Sequence, residues 1–106
     1  MIYVVVTVEL QPGRTEDFLA EFNQVVPLVQ AEVGCLEYGP TIDIETTLEN
    51  LAPPRLDVVT IIEKWESLES LEKHLIAPHM LAYRPKVKNF VKQATARILS
   101  PPTDEP

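Results

Sequence analysis

Cysteine and glycine are scarce in this sequence, and both shortages exclude common kinds of site. The single cysteine, Cys35, cannot form an internal disulfide, which is typical of a protein from a reducing compartment. The 106 residues include only three glycines, and the sequence contains neither a glycine-rich phosphate loop nor a dinucleotide-binding fingerprint. We therefore expect no bound nucleotide, flavin or other cofactor.

Long hydrophobic runs and positive charge are also lacking. No apolar segment approaches the roughly 20 residues that a membrane-spanning helix needs. The opening residues, Met1 to Val4, lack the basic region of a signal peptide, which predicts a cytoplasmic protein. Nine basic residues stand against sixteen acidic ones, for a net charge of −7, and this balance argues against binding to the phosphates of nucleic acids.

The length and composition predict one globular domain. A chain of 106 residues with 45% hydrophobic side chains can bury a modest core. We place the domain at residues 1–100. Residues 101–106 combine prolines with two acidic side chains and are predicted to form a flexible tail.

Hydrophobic periodicity predicts four strands and a first long helix. The strands are runs rich in β-branched and aromatic residues, at residues 2–10, 35–42, 56–65 and 93–99. The helix has Thr15 as its predicted N-cap, a kink near Pro27 and an end near residue 33. Its apolar positions recur at spacings of three and four residues, which predicts one buried face: Phe18, Phe22, Val25 and Val29.

Prolines divide the second helical region. Ser67 is the predicted N-cap of a helix whose buried stripe is Leu68, Leu71 and Leu75. Pro78 ends this helix and begins a further helical piece, in which Pro85 predicts another break.

The resulting order, β-α-β-β-α-β, predicts an α+β ferredoxin-like fold with the first and third strands at the centre of the sheet. Gly39 and Pro40 favour an edge position for the second strand. Both central strands are apolar on two faces, but helices can cover only one face. A second copy of the sheet is the simplest cover for the other face, so we predict a homodimer. The long connection at residues 43–55 is predicted to cover a pocket or to reach the partner subunit.

The two histidines do not predict a metal site. His74 and His79 are five positions apart, a rotation of about 140° on a helix, and Pro78 lies between them. No cluster of cysteines or carboxylates at ligand spacing accompanies them, and we expect no metal. Cys35, at the start of a strand, is interpreted as a small half-buried residue.

A group of aromatic side chains with polar tips remains. Trp65 ends the third strand, His74 lies on the next helix, and Tyr38 and Tyr83 lie on neighbouring segments. In one interpretation Trp65 is a core residue with a local hydrogen bond and His74 is a surface residue. In the other, these side chains line a pocket between the sheet and the helices.

Two stretches give the pocket more weight. EVGCLEY at residues 32–38 and EKWESLESLEKHLIAPHMLAY at residues 63–83 resemble the antibiotic biosynthesis monooxygenase superfamily, and most closely its bacterial quinol monooxygenases. The resemblance implies a dimeric α+β barrel and oxidation of quinols or phenols by O₂ without a cofactor. It implies that Trp65 donates a hydrogen bond to a developing oxyanion. His74 is the predicted base, because an ordinary imidazole titrates near pH 6.5, and His79 is the alternative base. Substrate contacts would come from nearby side chains: Tyr38, His79, Tyr83 and Arg84.

The sequence also departs from branches of that superfamily. Ile61 stands where the polyketide-oxidising branch has an asparagine, and Leu71 where it has a tyrosine. Val6, His74 and Arg84 occupy the positions nearest to the haem-degrading set, which excludes haem cleavage. Two alternatives stay open. One is an isomerase or degradative enzyme for a small phosphorylated metabolite, and the other is a ligand-binding dimer without turnover.

Overall fold

Four antiparallel strands form one sheet in the computed structural model, which describes residues 1–103. The strands are β1 (Ile2–Leu10), β2 (Cys35–Ile42), β3 (Val58–Trp65) and β4 (Val91–Leu99). They lie in the order β2-β3-β1-β4, so the predicted central pair and the predicted edge position of β2 are confirmed.

Three helices cover one face of this sheet. They are α1 (Thr15–Gln30), α2 (Leu68–Leu75) and α3 (Pro78–Val87). The predicted buried face of α1 is confirmed, because all four of its residues are buried: Phe18, Phe22, Val25 and Val29. Together with the alternate residues of β1 and β3 that face the helices, it forms the core. The element order is that of a ferredoxin-like fold with its second helical region divided in two.

Several predicted boundaries of helices and strands are wrong. Thr15 lies inside α1, and its hydroxyl donates to Asp57 Oδ1 at 2.8 Å, so Arg14 is the N-cap. The first helix ends at Gln30, earlier than residue 33. Pro27 lies inside it, and the kink near this proline stays a prediction. Pro85 does not break α3. The third strand starts at Val58, later than residue 56, and the fourth at Val91, earlier than residue 93.

The predicted stripe of α2 is also partly wrong. Leu68 and Leu75 are exposed, whereas Leu71 and His74 are the buried residues of this helix. A helix of eight residues has about two turns, so only a narrow face of it can pack against the sheet. This face contains Leu71 and the residue three positions later, so His74 is buried where the prediction had Leu75.

Within the described residues, 1–103, no helix covers the opposite face of the sheet. Cross-strand pairs of apolar and small polar residues lie there, including Val5 with Ile62 and Thr7 with Thr60. The side chains of residues 43–56 add exposed apolar surface: Ile44, Leu48, Leu51 and Leu56. Among residues 1–103, no helix has the length and hydrophobicity that crossing a membrane requires.

Candidate active site

A cluster of rings lies between the sheet and the helices. The ring centroids of Trp65 and His74 are 4.7 Å apart, and those of Tyr38 and His74 are 5.3 Å apart. Trp65 is 0% exposed, His74 2% and Tyr38 4%, so the three rings are enclosed. The structure therefore brings together three of the residues that the sequence predicted for the site.

Helix α2 places His74 in this cluster. Its first turn is capped by Ser67, whose Oγ accepts a hydrogen bond from the backbone N–H of Ser70 at 3.2 Å. Leu71 and His74 are three residues apart and share the inward face. The cap sets where the helix starts, and this start directs the imidazole towards Trp65.

A carboxyl group that the sequence analysis did not select holds both histidines. Oε2 of Glu32 lies 2.9 Å from Nδ1 of His74 and 2.7 Å from Nε2 of His79. Glu32 belongs to the turn after α1, where Gly34 has φ +86° and a Cβ would collide with Ser70. The one feature of the sequence that could have pointed to Glu32 is its position, two residues before this glycine.

A second carboxyl group, from Glu63, is also buried in the cluster. Glu63 is 5% exposed, and its Oε1 accepts a hydrogen bond from Nε1 of Trp65 at 2.9 Å. Glu63 pairs across the sheet with Tyr38. It was missed because a charged residue was not expected at an inward position of a central strand. The alternation of side chains along β3 could have predicted this position, since residues 59, 61 and 65 all point inward.

Burial separates the proton affinities of these groups. Desolvation raises the pKa of Glu63 to about 6, although the hydrogen bond from Trp65 acts to lower it. Desolvation lowers the pKa of His74, against the opposing effect of Glu32. Desolvation also raises the pKa values of Tyr38 and Tyr83, so both phenols stay protonated near neutral pH. At pH 7 the cluster thus contains a neutral imidazole and protonated tyrosines.

The other predicted residues lie around this centre. Tyr83 is buried and contacts the ring of Phe22, with centroids 5.8 Å apart. His79 joins the cluster through Glu32. Arg84 donates from Nη2 to the backbone oxygen of Leu75 at 2.6 Å, so its guanidinium is bonded to the end of α2.

Two cavities lie beside the cluster. One of about 480 Å³ runs along β2, and its lining includes Cys35, Tyr38 and Ile62. A smaller one of about 170 Å³ lies between α1 and α3, and its lining includes His79 and Tyr83. The larger volume is within the range of small-molecule sites. Tyr38 lines the larger cavity, whereas Trp65 and His74 line neither.

Metal ligands do not gather at this site. Within residues 1–103, no group of three or more histidine, cysteine or acidic side chains has an arrangement suited to a metal ion. The pair of histidines instead shares a single carboxylate oxygen, at hydrogen-bond distances.

Comparisons with known proteins agree with the fold and with the sequence resemblance. The family described as "Antibiotic biosynthesis monooxygenase" matches residues 1–86. The Escherichia coli protein "Probable quinol monooxygenase YgiN" is 37% identical over 105 residues, covering 95% of this chain and 98% of that protein. Among solved structures, Rv0793 from Mycobacterium tuberculosis aligns with a TM-score of 0.78 and 21% identity over 98% of this chain and 96% of that one. PA3566 from Pseudomonas aeruginosa aligns with a TM-score of 0.76 and 22% identity, over 92% and 90% of the two chains.

Proposed function

Because the chain belongs to the antibiotic biosynthesis monooxygenase family, we propose that it is a cytoplasmic enzyme that oxidises a quinol or related phenol with O₂. The near-full-length relative from Escherichia coli, named as a probable quinol monooxygenase, supports a quinol as the substrate class. We propose further that no flavin, haem or metal takes part, since a deprotonated hydroquinone can itself pass an electron to O₂.

One observation carries the proposal: a neutral imidazole is enclosed among aromatic rings. A phenol has a pKa near 10, so at pH 7 it needs a base to become the electron-rich anion. The base must itself be unprotonated at that pH. Burial keeps the pKa of His74 below its ordinary value, and its ring lies against Trp65 and Tyr38. His74 is therefore the proposed base.

The other side chains of the cluster have supporting roles in this proposal. Tyr38 and Tyr83 stay protonated, so they offer hydrogen bonds to a substrate and not basicity. The N–H of Trp65 is the proposed donor to the developing oxyanion, and a substrate oxygen would have to replace Glu63 Oε1 as its acceptor. His79 and Arg84 border the site and are proposed to contact the substrate.

The activity is tested by O₂ uptake with menadiol-like quinols. We expect uptake above the rate of autoxidation, and one atom of ¹⁸O from ¹⁸O₂ in the product. A chelator should leave the rate unchanged, and heat-denatured protein gives the background. If the native protein gives only the background rate with a panel of quinols, the ligand-binding alternative replaces this proposal.

We also propose that the working form is a homodimer joined through the uncovered face of the sheet. The exposed leucines of residues 48–56 favour a role for this connection at the partner subunit. Sedimentation at micromolar concentration should give about twice the chain mass of 12.0 kDa. Ile62→Lys places a charge on the uncovered face and should shift the protein to monomer, whereas Glu72→Lys, on exposed α2 surface, should not. A monomeric native protein would contradict this assembly.

A further inference from the structure

The shared oxygen of Glu32 fixes which nitrogen of His74 carries a proton. An ionised carboxylate accepts hydrogen bonds and has none to donate. Oε2 of Glu32 lies 2.9 Å from Nδ1 of His74 and 2.7 Å from Nε2 of His79, so both ring nitrogens that face it must carry hydrogen. A neutral His74 with its hydrogen on Nδ1 has its lone pair on Nε2, the nitrogen on the other side of the ring.

We propose that Glu32 is a positioning residue for the base: it holds His74 in the Nδ1–H form, so that Nε2 takes the substrate proton, and it balances the imidazolium that results. This inference rests on the proposed quinol oxidation. In the step itself, the O–H bond of the quinol breaks and an N–H bond forms at Nε2. The quinol keeps the electron pair, Glu32 keeps its negative charge, and no other reactant is required.

His79 completes the arrangement by holding the carboxyl group from its other side. The side chain of Glu32 is 14% exposed and that of His79 is 23% exposed, so the carboxylate lies between an enclosed histidine and one that water can reach. With two donors on one oxygen, the carboxylate has little freedom to rotate away from His74. His79 therefore fixes the positioning residue.

The charges around His74 come from every element packed against it. Glu32, in the turn before β2, acts to raise the pKa of His74, whereas His79 and Arg84 of α3 act to lower it, and burial lowers it most. Tyr38 of β2 stays protonated, and Glu63 of β3 is bonded to Trp65. Glu32 is the one negative group among residues 1–103 that contacts the imidazole directly.

The tautomer can be measured without any turnover. Long-range ¹H–¹⁵N NMR spectra of the native protein should show His74 as the Nδ1–H form, and a His79→Gln variant assigns the signals of the two histidines. In Glu32→Gln, the Nε2–H form of His74 should become populated and the pKa of His74 should fall. Glu72→Gln changes the same charge on exposed surface of α2 and should alter neither property. A native His74 in the Nε2–H form overturns the inference, whatever the variants do.

Kinetics then test the link to catalysis. Glu32→Gln should lower the plateau of kcat/KM for quinol oxidation by roughly 100-fold, because the lone pair of His74 is no longer held at Nε2. At the same time the acid limb of the profile should move to lower pH, and Glu32→Asp should restore part of the rate. Partial unfolding alone would lower the plateau of kcat/KM without moving the acid limb of its pH profile. An unchanged profile in Glu32→Gln would overturn the inference while leaving quinol oxidation intact. If the native protein oxidises no quinol, the proposed function fails, and the NMR result alone decides whether Glu32 holds the tautomer.

Discussion

Replacement of His74 by alanine is expected to lower kcat for quinol oxidation by about 10²–10⁴-fold at pH 7, which is the usual contribution of a general base. The loss should shrink as the pH approaches 10, because the phenol then ionises without help. Rates of quinol-dependent O₂ uptake between pH 6 and 10, corrected for autoxidation, measure both effects. The proposed dimer should persist, because His74 lies on the helix side of the sheet.

The burial of His74 makes a second variant necessary. The ring fills space between Trp65 and Tyr38, so alanine leaves a cavity that also lowers stability. His74→Phe keeps a ring at this position and removes both nitrogens, so it separates basicity from packing. Glu72→Gln is the control on the same helix, since it changes an exposed side chain of α2 outside the cluster. If His74→Phe oxidises quinols at the native rate across this pH range, His74 is a packing residue and not the base.

The sheet was predicted well because the residues that favour a strand lie within the strand itself. The β-branched runs and the proline in β2 fixed which strands are central and which is at the edge, and the structure confirms both. Boundaries were predicted less well because distant contacts decide them. Thr15 had the right chemistry for an N-cap, but its hydroxyl donates a hydrogen bond to Asp57, 42 residues away, and Arg14 is the N-cap.

The candidate site was predictable only in part. Trp65, His74 and Tyr38 were selected, and they do meet. Glu32 and Glu63 were not selected, because an acidic side chain in an acidic sequence is usually at the surface. What buries them is the fold: a turn brings Glu32 to α2, and the register of β2 with β3 places Glu63 opposite Tyr38. Neither relationship is visible from spacing along the chain.

Glu63→Gln is expected to remove a loss of stability that the native protein undergoes between about pH 4.5 and 6. Burial raises the folded-state pKa of Glu63 from 4.5 to about 6, which corresponds to about 2 kcal/mol. Below pH 4.5 the group is protonated in both the folded and unfolded states, and its contribution to stability is fully present. As the pH rises through 6, the unfolded carboxyl ionises freely while the folded one ionises at a cost. The free energy of unfolding should therefore fall by this amount.

Urea unfolding of the native protein and of Glu63→Gln at half-unit steps from pH 4 to 8 measures this effect. The difference between the two curves should change by about 2 kcal/mol across that window and then stay level. The glutamine keeps an oxygen for the N–H of Trp65, and any cost of its unpaired amide would appear as an offset at all pH values. Titrating groups that do not interact with Glu63 cancel in the difference, including His74, whose lowered pKa costs stability only as the pH falls below its ordinary value. Glu37→Gln makes the same change on the exposed side of β2 and is the matched control. A flat difference between the native protein and Glu63→Gln would mean that water reaches this carboxyl group. The site around Trp65 and Glu63 would then not be enclosed, as the proposed chemistry requires.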